Sequence, residues 1–184
     1  MSVLNALDAV PVLAGTLLTL RPMMSADAAD VWAYHSDPEV YEPTSLRVES
    51  PAETEQGLVE LATGFARGEF IRWGIVPSDT TRVAGDCGFF NFDGPAAEVG
   101  YLLARPYWGQ GIASEAVDLM LAFAFGTLAL SEVRATVMDG NERSLRLLER
   151  KGFGRQELMP RFRDVRGEMK DFWLLRRSHR HAVS

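Results

Sequence analysis

Ala97-Glu98-Val99-Gly100-Tyr101-Leu102-Leu103-Ala104-Arg105-Pro106-Tyr107-Trp108-Gly109-Gln110-Gly111-Ile112-Ala113-Ser114-Glu115-Ala116 is the stretch on which the fold turns. It opens with an apolar run, Val99 to Leu103, that reads as a strand. A short loop follows, and two glycines lead directly into a helical pattern. Glycine permits positive φ and lets a ligand approach the backbone closely. The first N–H groups of a helix lack intrahelical partners, and the helix dipole adds partial positive charge there. A diphosphate suits that environment. Three other readings share the pattern. A Walker A loop needs Gly-Lys-Ser/Thr, whereas this chain has Gly111-Ile112-Ala113. A dinucleotide fingerprint can be written Gly109-x-Gly111-x-x-Ser114, with Glu132 standing 21 residues after Gly111 as the acidic ribose partner. The strands before the turn read as hairpin-linked and no βαβ series follows, which disfavours that reading. A tight turn without a ligand is the third.

Outward from this stretch the elements alternate. Toward the N-terminus, Leu17–Arg21 reads as a strand. Ser25 reads as the N-cap of a helix over 26–35, which Asp37-Pro38-Glu39 breaks. Pro51, after Ser50, opens a helix over 52–67. Strands are expected over 72–76 and 82–91, joined by a turn at 78–81. Gly94-Pro95 makes the next turn, before a strand over 97–104. Toward the C-terminus, apolar residues at Ala113, Ala116, Val117, Met120, Leu121, Ala124 and Phe125 fall on one face of a helix over 112–128. A strand over 132–138, a helix over 141–151 closed by Gly152, and a short strand over 172–175 complete the series. The order predicts an α/β domain with one mixed sheet.

Composition sets the outer limits. The 184 residues, 47% hydrophobic and 24% charged, fit a single globular core. No apolar run reaches the length of a membrane span. The opening residues lack a basic start and carry Asn5 and Asp8, unlike a signal peptide. With one cysteine, Cys87, no internal disulfide framework exists, so a cytoplasmic location is expected. Three histidines, two of them in the tail at His179 and His181, do not make a conventional zinc site, and no metal is expected. Residues 1–100 hold 5 basic and 15 acidic side chains, and residues 101–184 hold 14 and 10. That asymmetry fits either a two-ended site, basic for a phosphorylated cofactor and acidic for a cationic acceptor, or an uneven solvated surface. The acidic total argues against nucleic acid as a partner.

Glu98-Val99-Gly100-Tyr101 followed by Tyr107 to Ala116 resembles the acetyl-CoA motif of the GNAT superfamily. The branch it is most similar to holds the ribosomal-protein N-terminal acetyltransferases. A second block, Asn141, Ser144 and Glu149-Arg150-Lys151-Gly152-Phe153, resembles that branch's N-x-x-S…K-x-G-F segment, and Leu18-Thr19-Leu20-Arg21-Pro22 resembles its start. The likeness spans residues 16–176, leaving 1–15 and 177–184 as terminal extensions. It implies a single-domain GNAT-like fold, with a central mixed, mostly antiparallel sheet of splayed strands flanked by helices. It implies acetyl-CoA as co-substrate. The strand ending at Leu102 and Leu103 would splay from 132–138 and pair with the pantetheine arm, as a sheet edge pairs with an extended ligand. Trp108, Gly109, Gln110, Gly111, Ile112 and Ala113 would cradle the pyrophosphate, and Asn141 would hydrogen-bond the pantetheine. Trp108 stands where the family motif has Arg or Gln, which removes one charged contact and leaves more to backbone N–H groups.

The resemblance also implies direct transfer of an acetyl group to an amine, with Glu98 as the base, acting through water, and Ser144 as the acid near the thiolate. The backbone N–H of Leu103 would polarise the thioester carbonyl. Each has a plainer reading: a surface carboxylate on a strand, and a serine near a helix start. Cys87 reads as a small buried residue rather than a nucleophile. Phe89, Phe90 and Phe92 divide between core and pocket wall. Trp32, Tyr34, Tyr41, Asp37, Glu39 and Glu42 fall in the segment that covers the acceptor site in the family. The acceptor remains open between a protein N-terminus, including a ribosomal one, a polyamine or other small amine, and an amino-bearing antibiotic. A non-catalytic acetyl-CoA-binding domain and a nicotinamide-dependent oxidoreductase are the alternatives of other classes. Oligomeric state is not legible, a homodimer being the commonest assembly.

Overall fold

The computed structural model describes residues 3–179. Eight strands form one open sheet in the order β1-β2-β3-β4-β5-β6-β8-β7. They are β1 (Leu13–Ala14), β2 (Leu18–Arg21), β3 (Ile71–Pro77), β4 (Gly85–Asp93), β5 (Ala96–Leu103), β6 (Glu132–Met138), β7 (Gly154–Val165) and β8 (Glu168–Ser178). Neighbours run antiparallel except β5 and β6, which are parallel. Five α-helices cover the sheet: α1 (Ala28–His35), α2 (Pro38–Tyr41), α3 (Pro51–Ala66), α4 (Ile112–Ala122) and α5 (Glu142–Arg150).

The core follows from the periodicities. Strand β6 buries Val133, Ala135 and Val137 and turns the intervening residues outward, the period-two signature of a strand with one covered face. Helix α4 buries Ile112, Ala116, Val117, Met120 and Leu121, one stripe against the sheet. Trp73, fully buried on β3, meets Phe89 and Phe123 edge-on at centroid distances of 6.4 and 5.3 Å. The helix expected over 112–128 changes pitch. Phe123–Thr127 is a π-helical turn in which the Leu128 N–H reaches back five residues to the Phe123 carbonyl. The wider turn seats Phe123 and Ala124 in the core and brings Leu128 and Leu130 in behind them.

Two further expectations differ, and the N-terminal extension packs on the domain. Ser25 is not a helix N-cap. It begins a 3₁₀ turn, Ser25–Asp27, and the Asp27 carboxylate does the capping by accepting from the Met24 N–H while pairing with Arg21. Residues 3–15 join the packed fold: Leu4 is buried in the core, and the Trp73 indole donates to the Pro11 carbonyl at 2.7 Å. The short last strand is the middle of an eleven-residue β8, paired with an entire strand, β7, that the sequence reading does not contain. Strand β7 is almost wholly solvent-exposed, so it shows no alternation. It holds Pro160 at a break in register where Arg161 takes a positive φ, which suits only an edge strand. Residues 180–184, with His181, lie outside the described part.

Candidate active site

Strand β5 has two unlike edges. Toward β4 it is paired from Ala96 through Glu98 to Leu103. Toward β6 the ladder has three rungs, Ala96–Glu132, Ala97–Val133 and Glu98–Arg134. Beyond Glu98, among the described residues, β5 has no ladder partner on this side, while β6 stays bonded to β8 through Met138. The two strands therefore diverge from a fork at Glu98, and the backbone of Val99–Leu103 faces a gap. That edge is free to bond an extended ligand.

The gap leads to the glycine turn. After Leu103 a single 3₁₀ turn, Arg105–Tyr107, brings Trp108 back so that its indole donates to the Leu103 carbonyl at 2.7 Å. Gln110 closes the turn by donating to the Pro106 carbonyl at 2.7 Å. Gly109 and Gly111 take φ of 75° and 84°, the left-handed region where glycine carries no Cβ strain. Gly111 is the N-cap of α4 and supplies no side-chain cap. The first intrahelical bond runs from Glu115 N–H to the Gly111 carbonyl, so the amides of Ile112, Ala113 and Ser114 have no partner within the helix. The Glu115 carboxylate turns away and accepts from the Thr16 and Leu17 N–H groups.

A chamber of about 430 Å³ opens over these amides, and Arg143 and Arg150 of α5 line it with no acidic residue among the lining. The Arg143 guanidinium stacks on the Trp108 ring, 3.5 Å from its centroid. The positive charge that Trp108 does not carry is thus present, supplied from another helix. The sequence reading missed both arginines. Their spacing with Leu147 puts all three on one face of α5, but nothing in the sequence says that this face meets Trp108.

The passage continues through a neck of about 80 Å³ into a second chamber of about 330 Å³ within the fork. Trp108, Ala113 and Arg143 line both the first chamber and the neck. Tyr101, Leu102, Asn141 and Ser144 line both the neck and the second chamber. The loop after α2 roofs the passage with Pro43, Thr44 and Ser45. Arg166, in the β7–β8 turn, ties that loop down by donating to the carbonyls of Tyr41, Glu42, Thr44 and Leu46. Arg163 adds a bond to Ser45 Oγ at 3.1 Å.

Glu98 and Ser144 line the same chamber. Glu98 is half-buried, and the Asn91 amide donates to its Oε2 at 2.9 Å. Ser144 sits in the first turn of α5, where its own N–H is capped by Asn141 Oδ1. Asn141 is engaged at both ends, because its Nδ2 donates to the Pro43 carbonyl at 3.0 Å. Leu102 faces the passage, and Leu103 and Ile112 are buried where strand and helix meet it.

Two acids of the covering segment are engaged by an arginine. Asp37 and Glu39 both pair with Arg105. The fork chamber is lined by Arg47, Arg72 and Arg163, with Glu98 as its one acid. Arg72 is held from beneath by the buried Asp86, at 3.1 Å, which also takes hydrogen bonds from Tyr34 at 2.9 Å and His35 at 3.1 Å. Burial would push the Asp86 carboxyl up, but Arg72, His35 and Tyr34 overcome it and hold it down to about 2. The same burial and the Asp86 charge push the Cys87 thiol well above its ordinary range, so Cys87 is an inert core residue, as the sequence suggested. Phe89 is core and Phe90 lines the chamber. Trp32, Tyr34 and Tyr41 serve the scaffold: the first two through hydrogen bonds to the Glu49 carbonyl and Asp86, Tyr41 through the guanidinium of Arg166 over its ring.

Residues 18–154 match the acetyltransferase (GNAT) domain family. The uncharacterized N-acetyltransferase p20 of Bacillus licheniformis is 32% identical over 88% of this chain and 94% of its own length. Among solved structures, the RimJ protein of Mycobacterium smegmatis in complex with a CoA-disulfide superposes with a TM-score of 0.82 at 23% identity, covering 92% of this chain and 88% of that one. The ribosomal-protein-S5-alanine acetyltransferase of Vibrio fischeri gives 0.79 at 21%, covering 91% and 96%. Those two likenesses concern the fold, and the family match together with the p20 relative carries the assignment: the chain belongs to the GNAT acetyltransferases, acyltransferases that use acetyl-CoA.

Proposed function

We propose that the passage binds acetyl-CoA lengthwise and that the fork chamber presents its acetyl group to a primary amine. The observation that carries this reading is a row of three adjoining chambers that share lining residues. One end has three amides without helical partners and two arginines, the middle has a free strand edge, and the far end has Glu98 and Ser144. A diphosphate fits the first, an extended amide-bearing arm the second and an acyl-transfer site the third. The residues thus suit a coenzyme A thioester by charge, shape and chemistry in the right order.

In this reading Trp108 to Ala113, with Arg143 and Arg150, hold the diphosphate. Leu102 lines the passage with its side chain while its backbone pairs with Asp86 of β4, and the Leu103 N–H, which faces the gap, polarises the carbonyl. Asn141 keeps the neck in shape, and meets the arm once its amide leaves Pro43. Glu98, positioned by Asn91, takes the proton from the incoming ammonium through a water. Ser144 faces the leaving sulfur.

The acceptor is a primary amine, read first as a protein N-terminus. The chamber opens beneath the 42–47 loop, and the Vibrio fischeri neighbour is named for a ribosomal-protein alanine. A polyamine fits less well, because Glu98 is the one acid in the chamber's lining. Calorimetry and thermal shift with acetyl-CoA, NAD and NADP test the cofactor. A ligand at about 100 times its dissociation constant stabilises by roughly 2.7 kcal/mol. Stabilisation by NAD but not acetyl-CoA would end this reading. Mass spectrometry of peptide N-termini and small amines incubated with acetyl-CoA then identifies the acceptor class.

A further inference from the structure

Two glycines open a floor on the face of the sheet that carries Glu98. Arg72 of β3, Gly88 of β4 and Gly100 of β5 lie abreast across three strands. Residues paired in this way point to one side, and Glu98, two places before Gly100, shares it. A Cβ on Gly88 would strike the Ile71 carbonyl and come within 3.0 Å of Arg72 Cγ. A Cβ on Gly100 would press on the Phe90 ring at 3.0 Å. Without those side chains Arg72 has room to lean over β4, where it meets Asp86. Arg72, Gly100 and Glu98 all line the fork chamber.

The chamber's three arginines differ in what answers them. Arg47 pairs with Glu53 at 2.8 Å, and both partners are exposed, so a ligand meets the two charges together. Arg163 bonds Ser45 in the roof and lies over the Phe162 and Phe172 rings. Arg72 pairs with Asp86 at 3.1 Å, and here access is unequal: the arginine side chain is 34% exposed and the aspartate 2%. Asp86 also takes hydrogen bonds from Tyr34 and His35 within the core. A ligand in the chamber therefore touches the cation of this pair and not the anion. Neighbouring strands lie about 4.8 Å apart, so a guanidinium over β4 stands roughly one strand away from β5 and its free edge.

We propose that Arg72 sets acceptor specificity by binding a side-chain carboxylate on the first or second residue of the peptide whose N-terminal amine is acetylated. The inference rests on the acetyl-CoA and N-terminus reading above and narrows it to acidic peptides. The amine lies in the fork, and the carboxylate crosses the Gly100–Gly88 floor to the guanidinium. The carboxylate of a free amino acid is held too near its own nitrogen to cross that floor while the amine stays in the gap. A side chain on the first or second residue spans it, because each extended residue covers about 3.3–3.6 Å. Bonds from a guanidinium to a carboxylate are charge-assisted and among the stronger ones. Asp86 already holds Arg72 in place, so little side-chain freedom is lost when the acid arrives. Arg72 exchanges no proton and makes no covalent bond; it selects which amine reaches the thioester.

Matched peptides that begin Ser-Glu, Ser-Gln and Ser-Lys and are identical thereafter test this, with acetyl-CoA as donor and coenzyme A release as the readout. In the wild type, kcat/KM for Ser-Glu should exceed that for Ser-Gln about tenfold, through KM, with Ser-Lys lower again. Arg72→Gln alone would strand the buried Asp86 charge and endanger the fold. The variant is therefore Arg72→Gln with Asp86→Asn, checked by its melting curve and by acetyl-CoA calorimetry. It is expected to treat Ser-Glu and Ser-Gln alike. Arg72→Lys keeps the charge over Asp86 but loses the planar fork, and should retain a preference of only about two- to threefold. If the double variant does not fold, Arg72→Lys decides, and an undiminished preference there overturns the proposal. A double variant that folds and keeps the preference overturns it too, placing recognition of the acid elsewhere in the chamber. So does a wild type that ranks the three peptides equally, that acetylates none of them while binding acetyl-CoA, or that acetylates free glutamate faster than the Ser-Glu peptide; each leaves the acetyl-CoA reading in place. A wild type that does not bind acetyl-CoA ends both.

Discussion

Helices α3 and α4 begin in opposite ways. At α3 the chain supplies a complete capping box: Ser50 Oγ accepts from the Glu53 N–H, the Glu53 carboxylate accepts from the Ser50 N–H, and Pro51 fills the first position. At α4 the cap is a left-handed glycine with no side chain to offer, and the first-turn acid, Glu115, is turned away toward Thr16 and Leu17. Helix α5 lies between them in kind, capped by Asn141 but with that residue also reaching Pro43 in the roof of the passage. The helix whose amides the protein leaves unanswered is the one facing a chamber lined by two arginines and no acid. On the proposed reading, the helix start satisfied by its own side chains serves stability, and the one left open serves the ligand.

The sharpest way to break the contrast is to cap α4 artificially. Gly111→Asp places a carboxylate against the free amides, and aspartate tolerates the left-handed conformation better than most residues. Its Cβ would come within 3.2 Å of Leu17 Cδ1, so a stability loss of about 1 kcal/mol is expected, with the fold kept. Acetyl-CoA affinity by calorimetry should fall roughly a hundredfold, since two or more charge-assisted bonds are lost and a like charge is added. Unchanged affinity would mean that the diphosphate does not sit there.

Next in size is removal of the charge that stands in for Trp108. Arg143→Ala and Arg150→Ala should each weaken acetyl-CoA about tenfold. The loss should shrink as salt rises, because both groups border solvent. Desphospho or truncated coenzyme analogues would show which phosphate each arginine meets. Smaller again is Asn141→Ala, which removes the α5 cap and one anchor of the roof. It should cost about 1 kcal/mol in chemical denaturation. Asn141→Asp should keep the cap and recover that loss while still lacking the donor to Pro43. Any change in acetyl-CoA affinity shared by both variants therefore reports the lost amide, through the roof or through its bond to the arm, and not the helix cap.

These two helix starts also show what a sequence discloses. Ser50-Pro51 and Gly109-Gln110-Gly111 are local signals, and both helices lie within a residue or two of where those signals put them. The fork was legible only through resemblance, because strand separation is a missing ladder and leaves no mark in β5 or β6 themselves. Strand β7 left none either: Gly154–Val165 has solvent on both faces, so no alternation survives, and Pro160 argues against a strand. With β7 went its turn, and so the hold of Arg166 on the roof. The Asp86 network was hidden for another reason, since Tyr34 and His35 reach it across 52 and 51 residues. Arg143 over Trp108 is likewise a fact of packing. The backbone parts of the site were readable, and the side chains that complete it across the fold were not.

The smallest expected effect belongs to the closed helix start, and its value is as a control. Glu53 is exposed, yet its carboxyl is lowered to about 2 by the Ser50 N–H, with Arg47 and the Ser50 hydroxyl adding to it. Because the folded value is depressed, the stability it contributes is present above its ordinary value near 4.5 and is lost as pH falls from there toward about 2. Glu53→Gln keeps a side chain able to reach back to the Ser50 N–H but cannot titrate. Melting temperature followed against pH should therefore show the variant slightly below the wild type at neutral pH, with the two curves converging in acid. Acetyl-CoA affinity at neutral pH should be the same in both, because α3 presents no open amides to the passage. An affinity loss in Glu53→Gln as large as that of Gly111→Asp would mean that the two helix starts are not independent, and the division between a structural start and a ligand-facing one would fail.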